Sequence, residues 1–296
     1  MSLALLASSL PHLPPPRRGK VREVYDLGDQ LLMVASDRLS AFDVVMNEGI
    51  PDKGKVLTQL SAFWFRRLAH LAPHHMISVN DEAIEAVVGS PDLNGRSMLV
   101  RKTEPIMIEC VARGYLAGSW RKEYREGLRT IHGVALPDGL QDGSKLPEPV
   151  FTPATKAESG HDMNISFQQA ADLIGLELTS KLRDWTLAIY SEASVHATGQ
   201  GLILADTKFE FGMTPEGPIW IDEALTPDSS RYWPADTYAP GQAQPSFDKQ
   251  FVRDYLDMLD WDKQPPAPPL PFDIISKTRE KYFEAFRRIT GHDLAL

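Results

Sequence analysis

Residues Leu202–Arg231 read LILADTKFEFGMTPEGPIWIDEALTPDSSR. An apolar run, Leu202-Ile203-Leu204-Ala205, leads into Asp206, Lys208 and Glu210 at alternate positions. Strand side chains repeat every two residues, so these three share one face while Thr207, Phe209 and Phe211 point into a core. Acid, base and acid on a strand that begins so apolar fit a face that looks into a polar cleft. The turn-rich Gly212–Pro218 reverses the chain, and a second apolar run, Ile219-Trp220-Ile221, ends in Asp222-Glu223. The two runs predict a hairpin with Glu210 and Asp222 opposite or diagonal to each other. Facing carboxylates repel unless a cation lies between them. One or two carboxylates, completed by phosphate oxygens and water, hold Mg2+ on a nucleotide in this way. The competing reading is a solvated hairpin face with an ordinary ion pair.

Around this hairpin, strands are expected at Leu31–Ser36, Ser97–Lys102 and Pro105–Ala112. Helices are expected at Val56–Leu71, Ser166–Ala193, Phe247–Leu259 and Ile274–Ile289. Within Phe247–Leu259 the apolar residues Phe247, Phe251, Tyr255 and Leu259 recur every four positions. Leu136–Pro153 is rich in Pro, Gly and Asp and reads as a surface loop. Pro265–Pro271 reads as a stiff connector into the last helix, which Gly291 caps. Strands early and helices later predict α+β, with a small β-rich N-terminal lobe packed on a larger mixed lobe. The expected units are 1–114, 115–264 and 265–296.

The 296 residues are 43% hydrophobic and 24% charged, an ordinary globular balance that leaves room for two lobes. A net charge of −9 argues against nucleic acid and anionic membranes as partners. The single cysteine, Cys110, permits no intrachain disulfide and fits a cytoplasmic protein. It lies in an apolar run and is expected to be buried. No apolar run has the length of a membrane span, and the N-terminal segment reads as a short packed element rather than a signal peptide. The histidines show no metal-binding pattern, since Pro73 breaks the spacing of His70 and His74.

Four further segments carry basic residues at turns or strand ends. Gly19-Lys20-Val21-Arg22 reads either as a loop over phosphates or as a basic turn. Ser36-Asp37-Arg38-Leu39-Ser40 follows a strand and suits an anion site or a helix cap. Arg113 to Ser119 contains two glycines that let backbone approach a ligand, or it is a loop joining lobes. Phe151–Asp162 combines Lys156, His161 and Asp162, with His161 either a base or structural. Lys20, Arg38, Arg113, Lys156, Lys208, Arg231 and Arg253 together suit several anionic ligands, with Mg2+ on Glu210 and Asp222. Phosphoryl transfer from ATP is the reaction class this points to. From the residues alone, the acceptor stays open.

The ordered set GKVREVYD, SDRLSAFDVVMNEGIPDKGKVLTQLSAFWF, ECVARGYLAGSW, FTPATKAESGHD, ADTKFEFG and IDEALTPDSSRYW closely resembles the SAICAR synthetases of purine biosynthesis. The resemblance runs from Gly19 to Tyr255 and favours the longer, yeast-type branch. It implies a ligase that uses ATP, 5-amino-1-(5-phosphoribosyl)imidazole-4-carboxylate (CAIR) and L-aspartate. It also implies a kinase-like N-terminal lobe over a larger lobe, with ATP between them, as a monomer or homodimer.

Carried over by residue, the resemblance puts Gly19, Lys20, Val21 and Arg22 at the ATP phosphates. Arg22 stands where some members have lysine. Lys156 is placed near the nucleotide, Lys208 at the reacting phosphate, and Glu210 and Asp222 at Mg2+. Arg113, Ser119, Arg231 and Arg253 are implied at the CAIR phosphate, with Asp162 near CAIR. Ser36, Asp37, Arg38 and Ser40 are implied to face CAIR or aspartate. Asp206 and Asp37 are the candidate bases for the aspartate amine. Two other readings remain at this stage: an ATP-dependent phosphotransferase on a small metabolite, and a nucleotide-binding protein without turnover. The HRD signature of protein kinases is absent.

Overall fold

Alternating burial along the first strands builds the N-terminal lobe, in a computed structural model that describes residues 3–79, 82–156, 162–247 and 249–294. β1 (Arg17–Arg18) and β2 (Arg22–Asp26) form a hairpin whose tip is Gly19–Val21, and β3 (Gln30–Ala35) returns beside β2. β4 (Arg38–Ala41) and β5 (Val44–Gly49) turn at Phe42 and Asp43, both at positive φ, the geometry a tight two-residue hairpin favours. α1 (Lys53–Arg67), β6 (Met76–Val79), α2 (Glu82–Val88) and β7 (Ser97–Arg101) follow. Among the described residues the antiparallel sheet runs β1-β2-β3-β7-β6, with α1 against it.

The second lobe begins with β8 (Glu104–Pro105), β9 (Ile108–Tyr115) and α3 (Gly118–Arg125). The short strands β10 (Thr130–Ile131) and β11 (Val134–Ala135) precede β12 (Lys145–Thr155), α4 (Phe167–Ile174) and α5 (Leu176–Gly199). β13 (Leu202–Thr214), β14 (Gly217–Ile221), β15 (Ser230–Pro234), α6 (Gln250–Asp257) and α7 (Phe272–Thr290) complete the chain. The second sheet runs β12-β9-β13-β14, with β15 and β8 also paired to β13. β13 is therefore its central strand, and α5 packs on its back face. Thr207, Phe209 and Phe211 are buried on that face, as the alternation requires. Cys110 is fully buried beside them.

The α+β architecture agrees with the sequence reading, and four details differ. Leu136–Pro153 is not a loop throughout, because Lys145–Thr155 forms β12. Its prolines are tolerated because β12 is an edge strand, where missing N–H groups leave no ladder bond unmade. The expected helix Ser166–Ala193 is two helices broken at Gly175 (φ 90°, ψ 146°); a Ser166/Gln169 capping box starts the first. The sheets change over between Arg101 and Glu104, so β9 pairs with the second lobe although the sequence reading kept it in a unit ending at 114. α7 is no separate unit either. Its Tyr282, Ala285, Phe286 and Ile289 share one core with Leu60 and Trp64 of α1 and Phe209 and Trp220 of the second sheet. Gly291 closes α7 in the left-handed conformation, as expected. No helix among the described residues is long and apolar enough to cross a membrane.

Candidate active site

One face of β13 carries the charges. In register, Arg113 on β9 pairs with Asp206 on β13, and Asp206 pairs with Arg231 on β15. Three strands thus place two guanidiniums on either side of one carboxylate. Arg113 Nη1 donates to Asp206 Oδ2 at 3.0 Å, and Arg231 donates to the same oxygen. Arg113 Nε donates to Thr152 Oγ1 at 3.0 Å, and its guanidinium lies over the Trp120 ring. Burial holds the Arg113 guanidinium below its ordinary value, although Asp206 opposes the shift. Gly118, at φ 58°, opens α3 directly beside Arg231. A Cβ there would sit 2.8 Å from Arg231 Nη1. Ser119 Oγ accepts from Asn164 Nδ2 at 3.1 Å. Two arginines, a serine and the start of a helix are a donor set that suits a dianion.

Two to four residues further along the strand the charges change. Lys208 Nζ donates to Glu210 Oε1 at 2.6 Å and to Glu109 Oε1 at 2.8 Å. Lys156, just beyond β12, pairs with the other Glu210 oxygen. Burial alone would lower the Lys208 ammonium, but Glu210, Asp222 and Glu109 outweigh it and hold it above the ordinary lysine range. Glu109 is pushed up by burial, against the pull of Lys208. Glu210 stands opposite Ile221, not Asp222. Asp222 comes one residue later, where strand alternation alone would send it to the other face. Its positive φ of 69° breaks the alternation and lets it join the same charges. Its carboxylate pairs with Arg22 at 2.7 Å and is held well below the usual carboxylate range; burial opposes this, and Arg22, Lys208 and Lys156 overcome it.

The N-terminal lobe roofs this end. Gly19, Lys20 and Val21 are the exposed to half-buried hairpin tip, closed by Gly19 N–H to the Arg22 carbonyl at 2.8 Å. Arg22 reaches across to the second lobe and Lys20 pairs with Asp43. Arg38 fastens the tip from beneath, donating to the Lys20 and Gly19 carbonyls at 3.0 Å each and to Glu23. Ser36 Oγ donates to the Val21 carbonyl at 2.7 Å, and Ser40 is buried on β4. Asp37 is fully buried. Its oxygens accept from Arg96, from Leu5 N–H at 2.8 Å and from Gly54 N–H at 2.9 Å. Asp206 Oδ2 and both Asp37 oxygens, on the two expected bases, thus already accept hydrogen bonds. Arg253 lies half-buried on α6. Asp162 is exposed and close enough to Glu109 to raise it. His161 lies outside the described residues.

Glu210 and Asp222 suit a hard cation. Both are oxygen donors, and Lys156, Lys208 and Arg22 now occupy them. No group of three or more His, Cys, Asp or Glu among the described residues is arranged to hold a metal. Two carboxylates without a full cage fit an ion that arrives with phosphate oxygens and water, the habit of Mg2+.

Comparison with known proteins decides the family. The SAICAR synthetase family profile matches residues 16–268. The chain belongs to the SAICAR synthetase family. A phosphoribosylaminoimidazole-succinocarboxamide synthase of Syntrophotalea carbinolica is 58% identical, over 97% of this chain and 98% of its own length. One from Geotalea uraniireducens is 55% identical over 98% and 99%. The SAICAR synthase of Saccharomyces cerevisiae, solved with SAICAR, superposes with a TM-score of 0.89 at 40% identity, covering 99% of this chain and all of its own. A type-2 SAICAR synthetase in complex with ADP gives 0.71 at 27%, over 95% of this chain and all of its own. The higher score with the yeast protein agrees with the longer branch inferred from the SDRLSAFD block.

Within this SAICAR synthetase, sequence reasoning passed over three charged residues of the site. Glu109 is the one carboxylate in the apolar run of β9, and its register beside Lys208 was the available signal. Glu223 shares Arg22 with Asp222 and accepts from Thr226 Oγ1 at 2.6 Å. Lys53, fully buried, pairs with Asp228 at 2.7 Å, and no pattern in the sequence marks it.

Proposed function

We propose that this chain is a cytoplasmic ATP-dependent ligase that joins L-aspartate to CAIR, giving SAICAR, ADP and phosphate in de novo purine biosynthesis. The observation that carries the reading is a single strand with two charged ends. β13 presents the bridged arginines near Asp206 and the Lys208–Glu210 cluster roughly 7–13 Å further on, at 3.3 Å per residue. A phosphate monoester and the reacting end of a nucleotide fit that separation. Near full-length relatives named phosphoribosylaminoimidazole-succinocarboxamide synthase support it, as do solved relatives carrying SAICAR and ADP.

In this reading Arg113, Arg231 and Ser119 hold the CAIR phosphate, because guanidiniums fork onto its oxygens. Arg253 on α6 joins them in this reading. The Gly19–Val21 tip covers the ATP phosphates, and Arg38 and Ser36 shape that tip from below. Ser40 and Asp162 line the approach of the carboxylate substrates. Glu210 and Asp222 would hold Mg2+, which when bound draws charge from the phosphate oxygens. A CAIR carboxylate oxygen attacks the γ-phosphorus of ATP in line. A new P–O bond forms, the bond to the bridging oxygen breaks, and ADP leaves. Lys208 and Lys156 offset the charge on the transferring group. The neutral amine of aspartate then attacks the acyl carbon and phosphate departs. Holding three reactants on one sheet face lowers the entropic cost of their encounter.

An assay with ATP, Mg2+, CAIR and L-aspartate, each omitted in turn, tests the reading. SAICAR formation is expected only with all four. ADP release independent of aspartate would instead show a phosphotransferase, and ATP binding without turnover a binding protein. Oxygen label placed in the CAIR carboxylate is expected in the released phosphate. Unlabelled phosphate would exclude the acyl phosphate.

A further inference from the structure

The hairpin tip Gly19–Val21 takes its orientation from the side chain beneath it. In a trans peptide the carbonyl of one residue and the N–H of the next point in opposite directions. Arg38 Nη2 donates to the Gly19 carbonyl and Arg38 Nε to the Lys20 carbonyl, each at 3.0 Å. One planar guanidinium thus holds the carbonyls of two successive peptides. The N–H groups of Lys20 and Val21 belong to those same peptides, so they are turned away from Arg38. Neither makes a backbone hydrogen bond among the described residues. Ser36 fixes the next carbonyl, that of Val21, from its own N–H at 3.0 Å and its hydroxyl at 2.7 Å. Successive N–H groups left free in this way are an anion site made by the backbone alone.

Arg38 is itself held on its other side. Its Nη1 donates to Glu23 Oε1 at 3.0 Å and to the Leu6 carbonyl. Glu23 is fully buried, and Ser8 donates to its second oxygen from the backbone N–H at 2.7 Å and from the hydroxyl. Arg18 adds a second cation, with Nε 3.2 Å from Oε1. Leu6 and Ser8 belong to an N-terminal segment that no step of the reaction scheme uses. Leu5 N–H donates to Asp37 Oδ2 at 2.8 Å, and Asp37 N–H donates back to the Leu5 carbonyl at 2.7 Å. Leu10 is buried in the core behind the first sheet with Tyr25, Leu32 and Val34. All three guanidinium nitrogens of Arg38 therefore donate within the protein, on a base that the N-terminal segment helps to fix.

We propose that Arg38, seated on Glu23 and the N-terminal segment, is a positioning residue for the nucleotide. It holds two peptides of the tip so that the Lys20 and Val21 N–H groups face the ATP phosphates. This rests on the reading of Gly19–Val21 as the cover of those phosphates, and it assigns Arg38 to the nucleotide rather than to CAIR or aspartate. Without Arg38 the two peptides are free to rotate. Affinity for nucleotide falls, while Arg113, Arg231 and Ser119 are left as they are and CAIR affinity does not change.

Calorimetric titration of the full chain with Mg-ADP and separately with CAIR, together with KM values for ATP, CAIR and L-aspartate, tests this in three variants. Arg38→Met keeps the aliphatic stem and removes the donors, while Arg18 and Ser8 stay on Glu23. It is expected to weaken Mg-ADP about tenfold to a hundredfold, the effect of one or two hydrogen bonds, and to raise the ATP KM in step. CAIR affinity and the aspartate KM are expected to stay within about twofold; a general loosening of the fold would move all of them together. Arg38→Lys keeps the charge beside Glu23 but has no fork for two carbonyls, so it is expected to recover only part of the loss. Lys20→Ala probes the tip itself and is expected to weaken Mg-ADP. Equal losses for ADP and CAIR, or a rise confined to the CAIR or aspartate KM, overturn the proposal. If Lys20→Ala weakens ADP while a folded Arg38→Met binds it normally, the proposal fails and the reading of the tip stands. If neither variant changes ADP affinity, the reading of the tip fails, and the proposal with it. Should Arg38→Met not fold, Arg38→Lys decides: ADP affinity equal to that of the parent protein overturns the proposal.

Discussion

At the scale of single residues, the site is a set of charges made compatible by pairing. Asp206 keeps Arg113 and Arg231 together where two cations alone would repel, so the proposed phosphate site is set in advance of its ligand. Arg113→Met removes one fork and leaves the strand intact. We expect it to raise the CAIR KM by about tenfold to a hundredfold, the worth of a charge-assisted hydrogen bond, with a much smaller change for ATP. Steady-state kinetics with each substrate varied in turn would check it, and equal changes would place Arg113 elsewhere. A second residue-scale prediction concerns pH. The folded protein keeps His75 neutral down to about 3, whereas the unfolded chain protonates it near 6.5. Between those values the unfolded state binds more protons, so stability falls as pH drops below about 6.5. His74 is also lowered by burial and acts in the same direction. From His75 alone, the loss from pH 6.5 to 5 is about 2 kcal/mol. Denaturant midpoints measured across that window would show it, and His75→Phe would flatten the slope.

At the scale of elements, close approach and buried charge decide what can change. Gly118 starts α3 at φ 58°, with Arg231 against the position a Cβ would take. Gly118→Ala should cost about 1 kcal/mol in backbone strain and also displace Arg231, raising the CAIR KM more than it lowers the melting temperature would suggest. Kinetics and thermal melting on one preparation would separate the two effects. The buried pair of Lys53 and Asp228 ties the start of α1 to the 226–229 turn, and Tyr282 of α7 donates to the same carboxylate. That turn accepts the Lys208 N–H through the Ser229 carbonyl at 2.9 Å, so the tie reaches β13. Lys53→Met removes the nearer of two cations from a buried carboxylate, leaving Lys249 Nζ at 3.8 Å, and should destabilise by at most about 3–5 kcal/mol. Adding Asp228→Asn should recover part of that loss. A denaturation cycle over the two single variants and the double would measure the coupling.

At the scale of the whole molecule, the lobes share a core and meet across ion pairs that include Arg22 with Asp222. In the proposed reading, Mg-nucleotide takes over carboxylates that cations of the protein now hold. Ligand at about 100 times its Kd should stabilise the protein by about 2.7 kcal/mol, or raise Tm by about 4 °C for a chain of 296 residues. ADP with Mg2+ should give a larger shift than ADP in EDTA, and Glu210→Gln should narrow that difference. Differential scanning fluorimetry over the four conditions would check it.

How far the sequence reaches can be seen in particular residues. The alternation of Asp206, Lys208 and Glu210 against Thr207, Phe209 and Phe211 is a local property of an extended chain, so the charged face of β13 could be read directly. The turn chemistry of Gly212–Pro218 and the Gly291 cap were legible for the same reason. β12 was not, because its prolines look like breakers until the strand is known to lie at an edge. Arg231 could be named from its motif, but its place beside Asp206 required β15 to pair with β13, twenty-five residues on. Asp37 and Asp206 looked like free bases in sequence, and only packing revealed the arginines that occupy them. The sequence alone determined which residues carry charge and on which face of their own strand. The tertiary structure decided which charges meet, because register, burial and the left-handed turn at Asp222 arise from contacts between segments far apart in the chain.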